Sequence, residues 1–146
     1  MKAYLILLLI LFNSCSEEVG NNKNKIFSNY LESSFSDHQS TEKHYYFIIL
    51  NFGCMNWANI AIEDFNRLAI KKNVTLIIGD TSSIHSELNA KIANWKRNVL
   101  IDKAGKINRL NLGLGGAGLI ELENNTVKNV YNAGDEEYYK ILHEIN

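Results

Sequence analysis

Cys54 stands in the run Asn51-Phe52-Gly53-Cys54-Met55-Asn56-Trp57, between an almost unbroken apolar stretch and an amphipathic one. A thiol acts as nucleophile or metal ligand only as its thiolate, so the forces on its proton decide what it can do. If a helix starts at this point, its free N–H groups and positive dipole end favour the thiolate. Burial among Phe52, Met55 and Trp57 favours the neutral thiol instead. No Lys, Arg or His lies inside the motif to settle the balance, and His44, His85 or Lys96 could approach only through the fold. Trp57, three places after the thiol, cannot attack a disulfide. A mixed disulfide formed at Cys54 would therefore wait for an external thiol, which slows turnover. The plainer role for Cys54 is that of a small apolar side chain filling a strand–helix corner.

The chain has only one other cysteine, Cys15. It follows Met1-Lys2, an apolar stretch from Ala3 to Phe12, and Asn13-Ser14. Ten apolar residues are too few to span a bilayer but suit the core of a signal peptide. The Ser14-Cys15 ending resembles the lipobox of bacterial lipoproteins, although Phe12 and Asn13 are larger or more polar than usual lipobox residues. That resemblance implies removal of residues 1–14 and lipidation of Cys15, palmitate included. It also implies anchoring to the outer membrane of a bacterial cell envelope, with the face left open. An ordinary secretory signal and a short retained anchor are the alternatives. Ser16-Glu17-Glu18 resembles acidic surface-export signals and reads equally as a solvated linker. If Cys15 carries lipid, Cys54 is the only thiol left and no internal disulfide can form, although such pairs are usual in an oxidising envelope.

The length of 146 residues suits one domain with a real core. A formal charge of −1 gives nucleic acid no electrostatic footing, so no nucleic-acid partner is expected. The polar, Asn-rich stretch before Ile26 has no periodicity and reads as a tether over 15–25, leaving 26–146 as the domain. Ile26, Tyr30, Leu31 and Phe35 recur at helical spacing and predict a helix over 25–36. His44 to Phe52 is aromatic and β-branched and almost uninterrupted, as in a strand covered on both faces. Ile60, Ala61, Phe65, Leu68 and Ala69, interleaved with Glu63, Asp64, Arg67 and Lys71, predict a helix running from Trp57 to Asn73. Val74 to Gly79 is a second buried strand, and the strand–helix–strand unit makes the two strands parallel.

Further on, Ser83 to Trp95 is expected to be helical, and Asn98 to Asp102 a short extended piece with a turn at Lys103 to Lys106. Strands over 118–123 and 126–132 form a hairpin about Asn124-Asn125. Asp135 caps a last helix with Tyr138, Tyr139, Leu142 and Ile145 as its stripe. The expected class is α/β, a mixed four- to five-stranded sheet with helices on both faces.

FIILNFGCMNW, NVLIDKAGKINRLNLGLGGAGLIEL and ENNTVKNVYNAGDEEYYKILHEI occur in an order that resembles the thioredoxin fold. More narrowly, they resemble the membrane-anchored thiol–disulfide oxidoreductases of the bacterial envelope, over about residues 40–146. The resemblance implies Cys54 as nucleophile, a substrate groove shaped by Trp57, Gly116, Ala117 and Gly118, and a protein or peptide thiol partner. Three departures stand out. Trp57 replaces the resolving cysteine of the family's C-x-x-C. The family's cis-proline aligns with Gly118 counted from LGLGGAG, or with Ala117 counted back from the hairpin, and the chain has no proline at all. A non-proline cis bond costs roughly 3 kcal/mol, so a trans loop is expected. The acid often found in the family's central strand is missing from Tyr45 to Phe52.

Other chemistries find less support. A peroxide-reducing thiol would want Pro and Thr or Ser before it, and Asn51 stands at the Thr position. His38, His44, His85 and His143 have no ligand spacing, so no metal is expected, and no cofactor either. The Gly113–Gly118 run lacks the Lys-Ser/Thr of a phosphate loop and precedes a strand. Asp102 beside Gly105 reads as turn chemistry. Two functions stay open: a divergent single-Cys thiol–disulfide oxidoreductase, and a non-catalytic lipoprotein of the same fold that holds a peptide or protein.

Overall fold

Val, Ile, Phe and Tyr favour the pleated, two-sided burial of a central strand, and His44–Ile49 (β1) has that place. In the computed structural model, which describes residues 15–36, 42–50, 55–79 and 98–146, five strands lie in the order β3-β2-β1-β4-β5. Here β2 is Val74–Ile78, β3 Val99–Ile101, β4 Ala117–Glu123 and β5 Thr126–Asn132. β1 runs parallel to β2, with Phe47 opposite Leu76, and β2 runs parallel to β3. On its other side β1 is antiparallel to β4, with Ile49 opposite Ala117, and β4 is antiparallel to β5. The protein is thus mixed α/β, with a five-stranded mixed sheet and three helices among the described residues: Cys15–Ser34 (α1), Met55–Leu68 (α2) and Glu136–Ile145 (α3).

Because side chains alternate along a strand, β1 feeds two separate cores. Tyr45, Phe47 and Ile49 point toward α2 and α3, where they meet Ala61, Phe65, Tyr138 and Ile141. Tyr46 and Ile48 point the other way, toward Phe27, Tyr30 and Leu31 of α1 and Ile107 of a short 3-10 turn, Ile107–Arg109. Helices therefore lie on both faces, as the apolar patterning anticipates. The Asn124-Asn125 hairpin also forms where expected. Both residues have positive φ, 51° and 58°, the backbone twist that a two-residue hairpin needs and that Asn tolerates.

Several boundaries differ from the sequence reading. α1 starts at Cys15, so the polar segment read as a tether over 15–25 has helical backbone. Once Phe27, Tyr30 and Leu31 anchor a helix, adding turns to its backbone costs little, because propagation is far easier than nucleation. α2 ends at Leu68 rather than Asn73. The chain turns there, with Lys71 N–H on the Leu68 carbonyl at 2.9 Å, and Ile70 is left 89% exposed. In α3 the buried stripe is Tyr138, Ile141 and Ile145, whereas Tyr139 is 44% exposed. Both stripes have helical spacing; contact of Tyr138 with Phe47 and Asp64 selects between them. Residues 1–14, Cys54 and the expected helix over 83–95 lie outside the described residues.

Among the described residues three acids are buried, Asp64, Asp102 and Glu121, and each has partners, as low-dielectric surroundings require. Asp64, expected on the polar face of α2, accepts from Tyr138 Oη at 3.2 Å and pairs with Arg67 at 3.1 Å. Burial nevertheless dominates and pushes its carboxyl up. Glu121 takes Lys43 Nζ at 2.7 Å, Asn129 Nδ2 at 2.8 Å and Tyr131 Oη at 3.1 Å. Burial pushes the Glu121 carboxyl up, but those three donors outweigh it and hold it below the ordinary value of 4.5. A lowered folded-state pKa gives stability that is present above 4.5 and is lost as pH falls through the folded value. Asp64, shifted upward, works in the opposite sense. The difference in unfolding free energy between the native chain and Glu121→Gln isolates the Glu121 part: it should be largest above about pH 5 and shrink steadily in acid. Urea unfolding at a series of pH values reads this directly, and a difference independent of pH would refute it.

Candidate functional site

The carboxyl ends of β1 and β2 and the start of α2 meet at one end of the sheet. β1 ends at Ile49, and α2 begins at Met55, the residue after Cys54 in the sequence. Cys54 itself lies outside the described residues. Backbone bonds tie this end together: Leu50 N–H to the Gly116 carbonyl at 2.7 Å, Gly79 N–H to Ile49 at 2.8 Å, and Ala133 N–H to Ala117 at 3.0 Å. All peptide bonds among the described residues are trans, those through Gly116, Ala117 and Gly118 included.

A groove of about 380 Å³ opens here. Trp57, Leu114, Ala117 and Ala133 form its apolar walls, and Asn132 and Asp135 supply polar atoms. Trp57 projects from the first turn of α2 and is 40% exposed. Its indole lies on Gly134, so closely that a Cβ there would collide with the ring. Gly134 also has φ of +92°, a conformation that L side chains rarely adopt, so glycine is required twice over. Asn132 holds the loop in place by accepting the Gly115 N–H at 2.7 Å.

Of the residues expected to shape a substrate groove, Trp57 and Ala117 do line this one. Gly116 (φ +133°) leads into β4 without lining it. Gly118 is not a loop residue, and Ala117 is not either: both are paired within β4, opposite Ile48 and Ile49. The glycine at 118 answers a packing need, since a Cβ would strike the Tyr131 carbonyl and Leu114. The sequence reading missed Leu114, Asn132, Ala133 and Asp135 as groove residues, and Gly134 as the support of the indole. The available signal was the Asn132-Ala133-Gly134-Asp135 run, a glycine between a strand and a helix.

Asp102 does make the expected turn, accepting Ala104 N–H at 3.2 Å. It does more: Ile107 N–H donates to it at 2.7 Å and Tyr30 Oη at 3.2 Å. Burial and the facing carboxylate push the Tyr30 phenol far above its usual range, so it remains a proton donor. This cluster locks α1 to the α1 face of the sheet, whereas Trp57 lies on the α2 face. A second, smaller cavity of about 130 Å³ separates α2 from α3 beside Asp64, Arg67 and His143. Among the described residues no group of three or more His, Cys, Asp or Glu could hold a metal.

The arrangement can bind an extended or side-chain ligand against an exposed indole, next to the helix start that follows Cys54. Comparison with models of known protein families and with curated protein sequences gives no match. The class stated by the fold is therefore mixed α/β, and a narrower assignment belongs to the proposal below.

Proposed function

We propose that this chain is a divergent, single-Cys thioredoxin-like protein of the bacterial envelope, in which Cys54 exchanges thiol for disulfide with a protein or peptide partner. The observation that carries the reading is the start of α2 at Met55, directly after Cys54, beyond the carboxyl end of the central strand β1. The parallel β1–α2–β2 unit beside an antiparallel β4–β5 hairpin supports the thioredoxin-like assignment. Free N–H groups at a helix start stabilise a thiolate.

In the exchange, the Cys54 thiolate attacks one sulfur of the partner's disulfide. The partner's S–S bond breaks, a Cys54–partner disulfide forms, and the other sulfur leaves as a thiolate that takes up a proton. Trp57 offers no second thiol, so an external thiol must attack the mixed disulfide. Cys54 is then regenerated, and the partner leaves disulfide-bonded to that external thiol.

The test uses the Cys15→Ala chain, whose only thiol is Cys54, with 2,2′-dithiodipyridine over a pH series. The expected half-point lies well below the free-thiol value of ~8.5. A native chain that reacts only after denaturation would reject the nucleophile.

A second reading is favoured by one observation, the Trp57 indole packed on Gly134 as a groove wall. In it the groove holds a partner without redox chemistry, and Cys54→Ser retains every partner. Loss of all partners on that substitution would count against it. For either reading we propose attachment to the outer membrane through lipid on Cys15. Among the described residues no helix is long and apolar enough to cross a membrane. Cys15→Ala is expected to free the protein from membrane fractions, and retention would refute the anchor.

A further inference from the structure

We propose that the groove beside α2 receives an arginine or lysine side chain from a segment of the partner protein, stacked on Trp57 and paired with Asp135. The proposal rests on the reading that this groove is the partner-docking face.

Two features of the groove each ask for a cation. The first is the indole. Trp57 is 40% exposed although it lies in a packed α/β domain, and Gly134 beneath it holds the ring in place from one side. An indole face attracts a cation through its quadrupole, more strongly than any other side-chain ring. A guanidinium stacks there especially well, being planar and weakly hydrated.

The second is Asp135. It occupies the N-cap position of α3 with extended backbone, φ −74° and ψ 154°, where an aspartate normally accepts a backbone N–H of the first turn. Its carboxylate makes no such bond. It lines the groove instead, one residue beyond the glycine on which the indole rests. Among the described residues no Lys, Arg or His side chain lines the groove, and Glu136 and Glu137 in the same turn add negative charge. An aromatic face with a carboxylate beside it that makes no cap bond, and no hydrogen bond or ion pair among the described residues, complements a cation on an aliphatic stem. Leu114 and Ala117 provide apolar surface for that stem or for a neighbouring apolar residue.

The experiment titrates the full-length Cys15→Ala chain with two peptides, acetyl-Gly-Arg-Leu-Gly-amide and the same peptide with Glu in place of Arg. Binding is followed by NMR at the Trp57 indole N–H, assigned by Trp57→Phe. The Arg peptide should bind about tenfold more tightly than the Glu peptide at low salt, and the ratio should shrink as salt screens the carboxylate. Asp135→Asn, which keeps an equally good N-cap residue, should reduce the ratio to about threefold or less. Equal binding of the two peptides, binding of neither, or a ratio unmoved by Asp135→Asn would overturn the proposal. The reaction of Cys54 with neutral 2,2′-dithiodipyridine, measured on the same samples, reports the thiol separately. A reactive thiol with no charge preference among peptides would sink this proposal alone. An inert thiol would sink the redox reading, whatever the peptides do.

Discussion

Phe47→Ala is expected to lower the unfolding free energy by about 3–5 kcal/mol. Phe47 is fully buried in β1, the central strand, between β2 and β4. Its ring meets Phe65 of α2 edge-on at 5.9 Å between centroids and Tyr138 of α3 at 6.5 Å. Truncation removes apolar burial and leaves a void that three elements of fixed geometry cannot close. Such a loss is a large share of the ~5–15 kcal/mol that typically holds a domain folded. The melting temperature should fall by roughly 10 °C or more. Phe47→Leu, which keeps most of the volume, should cost less than half as much. Urea unfolding of the three chains measures the series. A loss under about 1 kcal/mol for the alanine variant would mean that the α2 and α3 contacts do not depend on this ring.

Asp102→Ala is expected to cost about 3 kcal/mol through a different mechanism, the loss of hydrogen bonds instead of packing. Its carboxylate accepts Ile107 N–H at 2.7 Å, Ala104 N–H at 3.2 Å and Tyr30 Oη at 3.2 Å. Removing it strands a buried backbone donor and a buried phenol, each costing roughly 1–3 kcal/mol of desolvation without return. Tyr30→Phe removes only one donor and should cost about 1 kcal/mol. The double variant should therefore be less destabilised than the sum of the singles, since Asp102→Ala has no phenol left to orphan. A double-mutant cycle in urea tests this. Strict additivity would mean that the Tyr30–Asp102 contact does not hold α1 to the sheet.

Much of the framework was legible from local pattern. Apart from His44 and Thr75, His44–Ile49 and Val74–Ile78 are aromatic or aliphatic throughout because both strands are covered on two faces, and the sequence shows this as nearly continuous runs. The Asn124-Asn125 turn was legible because few residue pairs tolerate two successive positive φ angles. The start of α2 next to Cys54 followed from the change of period at Trp57. The groove was legible only in part. Trp57 and Ala117 could be named from a resemblance, but Gly118 serves β4 packing, and the far wall comes from the end of β5.

The sequence alone determined the strands, the hairpin and the amphipathic helices, because each depends on side-chain periods and backbone preferences within a few residues. The tertiary structure decided which acids are buried, which stripe of α3 faces inward, and that Trp57 rests on Gly134. Those outcomes depend on pairs such as Tyr30 and Asp102, 72 residues apart, brought together by the strand order. No local period records which distant partner a side chain will meet, so burial, charge pairing and the shape of the groove appear only once the sheet is assembled.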